Sequence, residues 1–187
     1  PKAKLVLKTA TSTLNQTVCD LDAIADIEFD LVGGSINARA SGLPPGVSLG
    51  PVVANGVTIS GIPTLNTSTP TIFTFTVTAT GNGSGCEEEV FTGQIQVLPN
   101  NLISLVTASN TTDQTLCVSN DPALSALTTI TYQLSGGSTS ANFIGLPPGF
   151  NPTFDALKMQ YNITGMAVTD VPSTTIYNYT VTTSGNC

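Results

Sequence analysis

The chain has 187 residues, only 9% of them charged, with 12 acids against 5 bases, no histidine and a net charge of -7. So acidic a chain is excluded from phosphate-driven nucleic-acid binding and from electrostatic docking on anionic lipid, both of which need Lys and Arg. Without histidine no Ser-His-Asp or Cys-His arrangement forms within it, and no apolar run approaches the roughly 20 residues of a membrane-spanning helix.

Hydrophobic residues make up 40% of the chain, enough for ordinary cores, and threonine occurs 30 times, often at every second position. Threonine is β-branched and suits a pleated, half-solvated surface, so the composition points to sheet. In chain order, Leu5 and Leu7 alternate with Lys4, Val6 and Lys8 in an opening strand. Ile27, Phe29 and Leu31 then point one way while Glu28 and Asp30 point the other. A short segment at 36–40 leads into Leu43-Pro44-Pro45-Gly46, and 57–60 reads as a further strand. Phe73, Phe75, Val77 and Ala79 alternate with threonines in the clearest strand of all. After a Gly-rich turn at 81–85, Phe91, Ile95 and Val97 supply the inner face of a closing strand. Pro99-Asn100-Asn101 punctuates the chain. The pattern then resumes with Ile103 and Leu105, with Ile130, Tyr132 and Leu134, and with Tyr177, Tyr179 and Val181. Nothing shows sustained helical spacing, so helices should be few and short.

The resumption is a repeat. Gln16-Thr17-Val18-Cys19 returns as Gln114-Thr115-Leu116-Cys117, Gly33-Gly34-Ser35 as Gly136-Gly137-Ser138, and the Leu-Pro-Pro-Gly run as Leu146-Pro147-Pro148-Gly149. A period near 100 residues is one small domain. Short alternating strands separated by Gly, Pro and Asn turns predict an all-β chain of two tandem β-sandwich domains, 1–99 and 100–187. The second copy reaches Cys187 without a counterpart of 90–98, so it should lack its last strand. The start at Pro1, without an initiator methionine, reads as a processed or excised piece of a longer polypeptide.

Four cysteines, one pair per copy, allow three pairings, and the repeat favours pairing within each copy. Cys19–Cys86 and Cys117–Cys187 are therefore expected, in an oxidising compartment. Zinc fails on spacing, with no C-x-x-C and no histidine. Each Leu-Pro-Pro-Gly run (Leu43, Pro44, Pro45 and Gly46; Leu146, Pro147, Pro148 and Gly149) reads as a structural corner, in which the prolines fix an extended stretch and the leucine plugs the sandwich edge.

Catalysis has little to stand on. Glu28 and Asp30 alternate with a core face, and the second copy replaces them with Thr131 and Gln133. No metal or other cofactor is expected, and the one set that could serve Ca2+ is Asp20 and Asp22 with Glu87, Glu88 and Glu89. A Cys19–Cys86 bond would draw those acids together.

The series Gln-Thr-x-Cys, Gly-Gly-Ser, Gly-Leu-Pro-Pro-Gly, Ile-Ser-Gly-Ile-Pro-Thr and Phe-Thr-Phe-Thr-Val-Thr resembles the tandem Ig-like (PKD-like or cadherin-like) repeats of giant surface adhesins of Bacteroidota. Such adhesins, gliding adhesins among them, are exported by the type 9 secretion system. The resemblance implies Ig-like sandwiches serving as non-catalytic spacer repeats of an extracellular, cell-surface protein engaged in attachment or gliding. It also implies neighbouring repeats as partners, with surface polysaccharide or another surface protein as the outer ligand. Residues 151–161 depart from the pattern and mark a candidate binding loop. The alternatives are a filament or pilus-like subunit completed by a strand from a neighbouring chain and, below it, a carbohydrate-binding module, which would present exposed aromatics.

Overall fold

A computed structural model describes residues 2–81, 89–168 and 173–187. The chain divides into two compact units, Pro1–Pro99 and Asn100–Cys187.

In the first unit, β1 (Ala3–Leu7) carries the opening alternation: Ala3 and Leu5 are buried while Lys4 and Val6 face solvent. The chain then crosses to a second sheet through a 3-10 turn at Thr11–Leu14 and continues as β2 (Asn15–Cys19). β3 (Ile27–Gly33) turns at Gly33 into β4 (Ser35–Ser41), followed by β5 (Val47–Leu49), β6 (Gly56–Gly61), β7 (Thr71–Gly81) and β8 (Val90–Leu98). The sheet orders are β1-β3-β6-β5 and β2-β8-β7-β4. All these neighbours are antiparallel except β2 and β8, which run parallel with Cys19 opposite Leu98.

Period-two alternation on both sheets delivers one shared core. Leu5, Ile27, Phe29 and Ile59 come from one sheet, and Phe75, Val77, Ile95 and Val97 from the other. Two sheets facing each other over interdigitated inner residues form an Ig-like sandwich.

The second unit repeats this plan in β9 (Asn101–Leu105), β10 (Ile130–Gly136), β11 (Ser138–Ile144), β12 (Phe150–Asp155), β13 (Gln160–Gly165) and β14 (Thr180–Gly185). Its first sheet, β12-β13-β10-β9, matches that of the first unit strand for strand. Even the register shift between Ser35 and Asn37 recurs between Ser138 and Ser140. A short helix, α1 (Pro122–Ser125), starts where the Asp121 carboxylate accepts from the Ala123 N–H. Residues 151–161, expected as a loop, instead form the long hairpin of β12 and β13, with Pro152 on an edge strand where its missing N–H costs no ladder bond.

The second sheet of this unit is where the copies part. Only β11 and β14 pair in it, and no counterpart of β8 is found among the described residues. Two consequences follow in the backbone. Residues 114–117, which match β2, form no strand. β14 begins at Thr180, the counterpart of Thr76, so it keeps the stretch that pairs with β11 and loses the stretch that β8 would hold. Tyr177 and Tyr179, read from sequence as strand residues, therefore precede the strand. A strand with no neighbour on either side has no ladder to form.

The repeated motifs are clasps. The Gln16 amide donates to Thr13 O (2.7 Å) and Ala25 O (2.8 Å) and accepts from the Ala25 N–H (2.8 Å). Gln114 makes the same three bonds with Thr111 and Thr128. In the Gly-Gly-Ser motif, Ser35 Oγ donates to Lys4 O and Ser138 Oγ to Leu102 O, tying the β3–β4 and β10–β11 turns to the first strand of each unit. At the corners Leu43 packs on the core and Pro44 is fully buried, while Gly46 adopts φ 84, where a Cβ would collide with Ile62 O.

Candidate functional site: the open edge of the second unit

The sequence-predicted residues fall apart before they form a site. Cys19 and Cys187 are disulfide-bonded, whereas Cys117 is a free, exposed thiol, so the expected Cys117–Cys187 bond is not formed. The reason lies in where the strands carry the two residues. Cys117 donates its N–H to Leu124 O, and Leu127 bonds Gly165 O, near the start of β10. Cys187 follows β14, and its neighbour Asn186 bonds Gly137 O just past the end of β10. The length of β10, about 20 Å, separates the two places, and a disulfide needs Cα atoms within about 7 Å. Cys86, the expected partner of Cys19, lies outside the described residues.

The described members of the acidic set, Asp20, Asp22 and Glu89, do not converge either. Asp20 is buried, and its two carboxylate oxygens accept from the Leu65 N–H (2.8 Å) and the Asn66 N–H (2.7 Å). It anchors the loop after β6. Its own N–H bonds Leu98 O, at the far end of β8 from Glu89, which receives the Leu5 N–H at 2.9 Å. β8 is nine residues long, so about 26 Å of strand separates the backbone positions of the two residues. Asp22 is exposed, and Glu87 and Glu88 lie outside the described residues. Among the described residues no three metal-ligating side chains come together.

What the structure does bring together is an apolar cleft in the second unit. In the first unit β8 seals the sandwich, with Ile95 and Val97 at 0% exposure, and Phe75 and Val77 beneath it are equally buried. The counterparts Tyr179 and Val181 are only half-buried, and Tyr177, the counterpart of Phe73, is 41% exposed. Between them and residues 114–117 opens a cavity of about 90 Å³, lined by Leu116, Ile130, Phe150, Ile163, Tyr177 and Tyr179 among others. Leu146 and Pro147 of the second corner reach it too, where Pro44 of the first is covered. Among the described residues the buried centre of this unit is the cluster of Ile130, Phe150 and Ile163, with Leu134 buried apart from it.

Aromatic side chains shore up what remains. Phe143 packs on Tyr132 (6.2 Å between ring centroids) and Tyr161 (5.1 Å), and Tyr161 on Phe154 (4.8 Å). The Tyr132 and Tyr179 hydroxyls share a 2.8 Å hydrogen bond at the wall of the cleft. Burial, then the Tyr132 hydroxyl, hold the Tyr179 phenol well above its ordinary range, and the Asp113 charge adds to the effect. Sequence reading placed these tyrosines in the core but gave them no polar role. The signal was there, since Phe29 and Phe75 both become tyrosine in the second copy.

No protein-family model matches the chain, and no curated protein does. Among solved structures it is similar to the protocadherin gammaB7 EC3-6 cis-dimer (16% identity, 88% of this chain and 39% of that one, TM-score 0.42). It is similar also to the protocadherin gammaB4 extracellular domain (10% identity, 90% and 28%, TM-score 0.45). A third is the endo-fucoidan hydrolase MfFcnA9 of glycoside hydrolase family 107 (11% identity, 97% and 32%, TM-score 0.34). The chain spans less than half the length of each, and the fold assignment rests on the strand order within each unit.

Proposed function

We propose that the chain is a length of non-catalytic spacer, two Ig-like repeats of a large secreted or cell-surface adhesin that acts in attachment or gliding. The observation that carries this reading is the clasp set. Gln16 and Gln114, and Ser35 and Ser138, make the same bonds in both copies, while the solvent-facing Glu28 and Asp30 become Thr131 and Gln133. What repeats is the framework, and a framework built twice serves length. The disulfide-bonded cysteines accord with an oxidising, extracellular setting. No helix among the described residues is long and apolar enough to cross a membrane.

The test is replacement in the parent adhesin. Exchanging both repeats for two unrelated Ig-like domains of equal length should leave surface attachment at its original level, and deleting them should reduce it. Attachment lost on replacement would place ligand binding in these repeats and sink the spacer reading. A second reading, a filament-type subunit completed by a neighbour's strand, is favoured by the open edge of the second unit.

A further inference from the structure

We propose that Asn55-Gly56 is a modification site, a deamidation site held shut by the β5–β6 hairpin and released when that hairpin opens. The equivalent turn of the second unit lacks it. The inference stands on the turn alone and does not rest on the spacer reading.

The chemistry needs only water. In an Asn-Gly pair the glycine nitrogen attacks the asparagine Cγ, since no side chain on the following residue hinders the approach. A C–N bond forms, the side-chain nitrogen leaves as ammonia, and a five-membered succinimide results. Water then opens the ring at either carbonyl. One opening restores the backbone as aspartate; the other routes it through the side chain as isoaspartate. Asparagine is counted among the thermolabile residues.

The folded turn blocks this attack. Ala54 (φ 48) and Asn55 (φ 61) are the two left-handed positions of a tight hairpin turn, a conformation that suits asparagine. The Gly56 N–H donates to Val53 O (2.8 Å) and the Val53 N–H to Gly56 O (2.9 Å). From β3 the Leu31 N–H donates to Asn55 O (2.7 Å). The Asn55 carbonyl and the Gly56 nitrogen belong to one planar peptide group, so that plane is held from both sides. It cannot swing its nitrogen onto Cγ, and the proton the nitrogen must lose is committed to Val53. Asn55 itself is exposed, so water is at hand once the bonds part.

The fold does not demand the reactive pair. Gly56 is outside the left-handed region, and in the second unit the same place holds Gln160 after Met159. There the Leu134 N–H donates to Met159 O (2.9 Å) and repeats the clamp without the chemistry. Conversion in the first unit is hard to undo. Isoaspartate lengthens the backbone just before β6, whose buried Val57 and Ile59 pair with Phe29 and Ile27. It also sets a new carboxylate next to Gly56, which faces Asp30. A hairpin that has opened and reacted therefore cannot recover its register, and the change records the opening.

The test incubates the complete 187-residue protein in mildly alkaline buffer without urea, in urea too dilute to unfold it, and in urea that unfolds it. Peptide mapping with enzymatic isoaspartate labelling reads Asn55 separately from Asn82-Gly83, the other such pair in the sequence. Deamidation at Asn55 should be slower in the native protein than in the unfolded chain by about tenfold or more, and should already rise in dilute urea as the hairpin opens locally. In the unfolded chain Gly56→Gln, the residue of the second unit, should slow it by a similar factor. Equal rates in native and unfolded protein would overturn the proposal, as would an unreactive Asn55 in the unfolded chain. A native rate that rises only with global unfolding would overturn it too, by removing the hairpin from control. None of these outcomes bears on the replacement experiment, and its failure would leave Asn55 unaffected.

Discussion

At the scale of single residues, the side chains that hold each unit together are polar and sit near its surface. Gln16 ties the start of β2 to the segment entering β3 through three bonds, and no apolar side chain could do this. Gln16→Ala should cost the first unit about 1–2 kcal/mol in chemical denaturation, with Gln114→Ala weakening the second unit by a similar amount. Tyr179 sets a pH limit instead. Its folded form holds the phenolic proton more tightly than the unfolded chain, whose tyrosine ionises near 10.0. The second unit should therefore keep its stability below that pH and lose it progressively above. Denaturation midpoints at about pH 9 and about pH 11 should show the fall, and Tyr179→Phe should flatten it.

At the scale of elements, the decisive piece is β8, and much about it was legible in advance. The alternation of Phe73, Phe75, Val77 and Ala79 and the inward set Phe91, Ile95 and Val97 follow from period-two patterning. Gly93 was not legible, because glycine in a strand carries no pattern, and only the Phe75 ring beside it explains why it is there. Gly93→Val should destabilise the first unit by about 1–3 kcal/mol by overpacking, read as a shifted denaturation midpoint with an unchanged slope. The expected Cys117–Cys187 bond and the expected approach of Asp20 to Glu89 misled for a related reason. A spacing of 67 or 70 residues fits any two points of a sandwich. The direction of β2, parallel to β8, puts Cys19 and Asp20 beside Leu98 and far from Glu89, and sequence alone does not reveal it. The Gln clasps were visible as repetition, but their bonds join residues 9 and 14 positions apart along loops that no periodicity describes.

At the scale of the whole molecule, two copies of one plan differ, among the described residues, in β8 and in the β2 that pairs with it, and these two strands divide a sealed core from an open one. The parallel pairing of β2 and β8 has a further consequence, which is mechanical. Tension entering through the residues before β2 and leaving through those after β8 pulls two parallel neighbours in opposite directions. The five registers from Asn15–Gln94 to Cys19–Leu98 are then sheared together rather than unzipped one by one. In the second unit residues 114–117 pair with no strand among the described residues, so within those residues force there meets no such clamp. Pulled singly under reducing conditions, the first unit should rupture at the higher force.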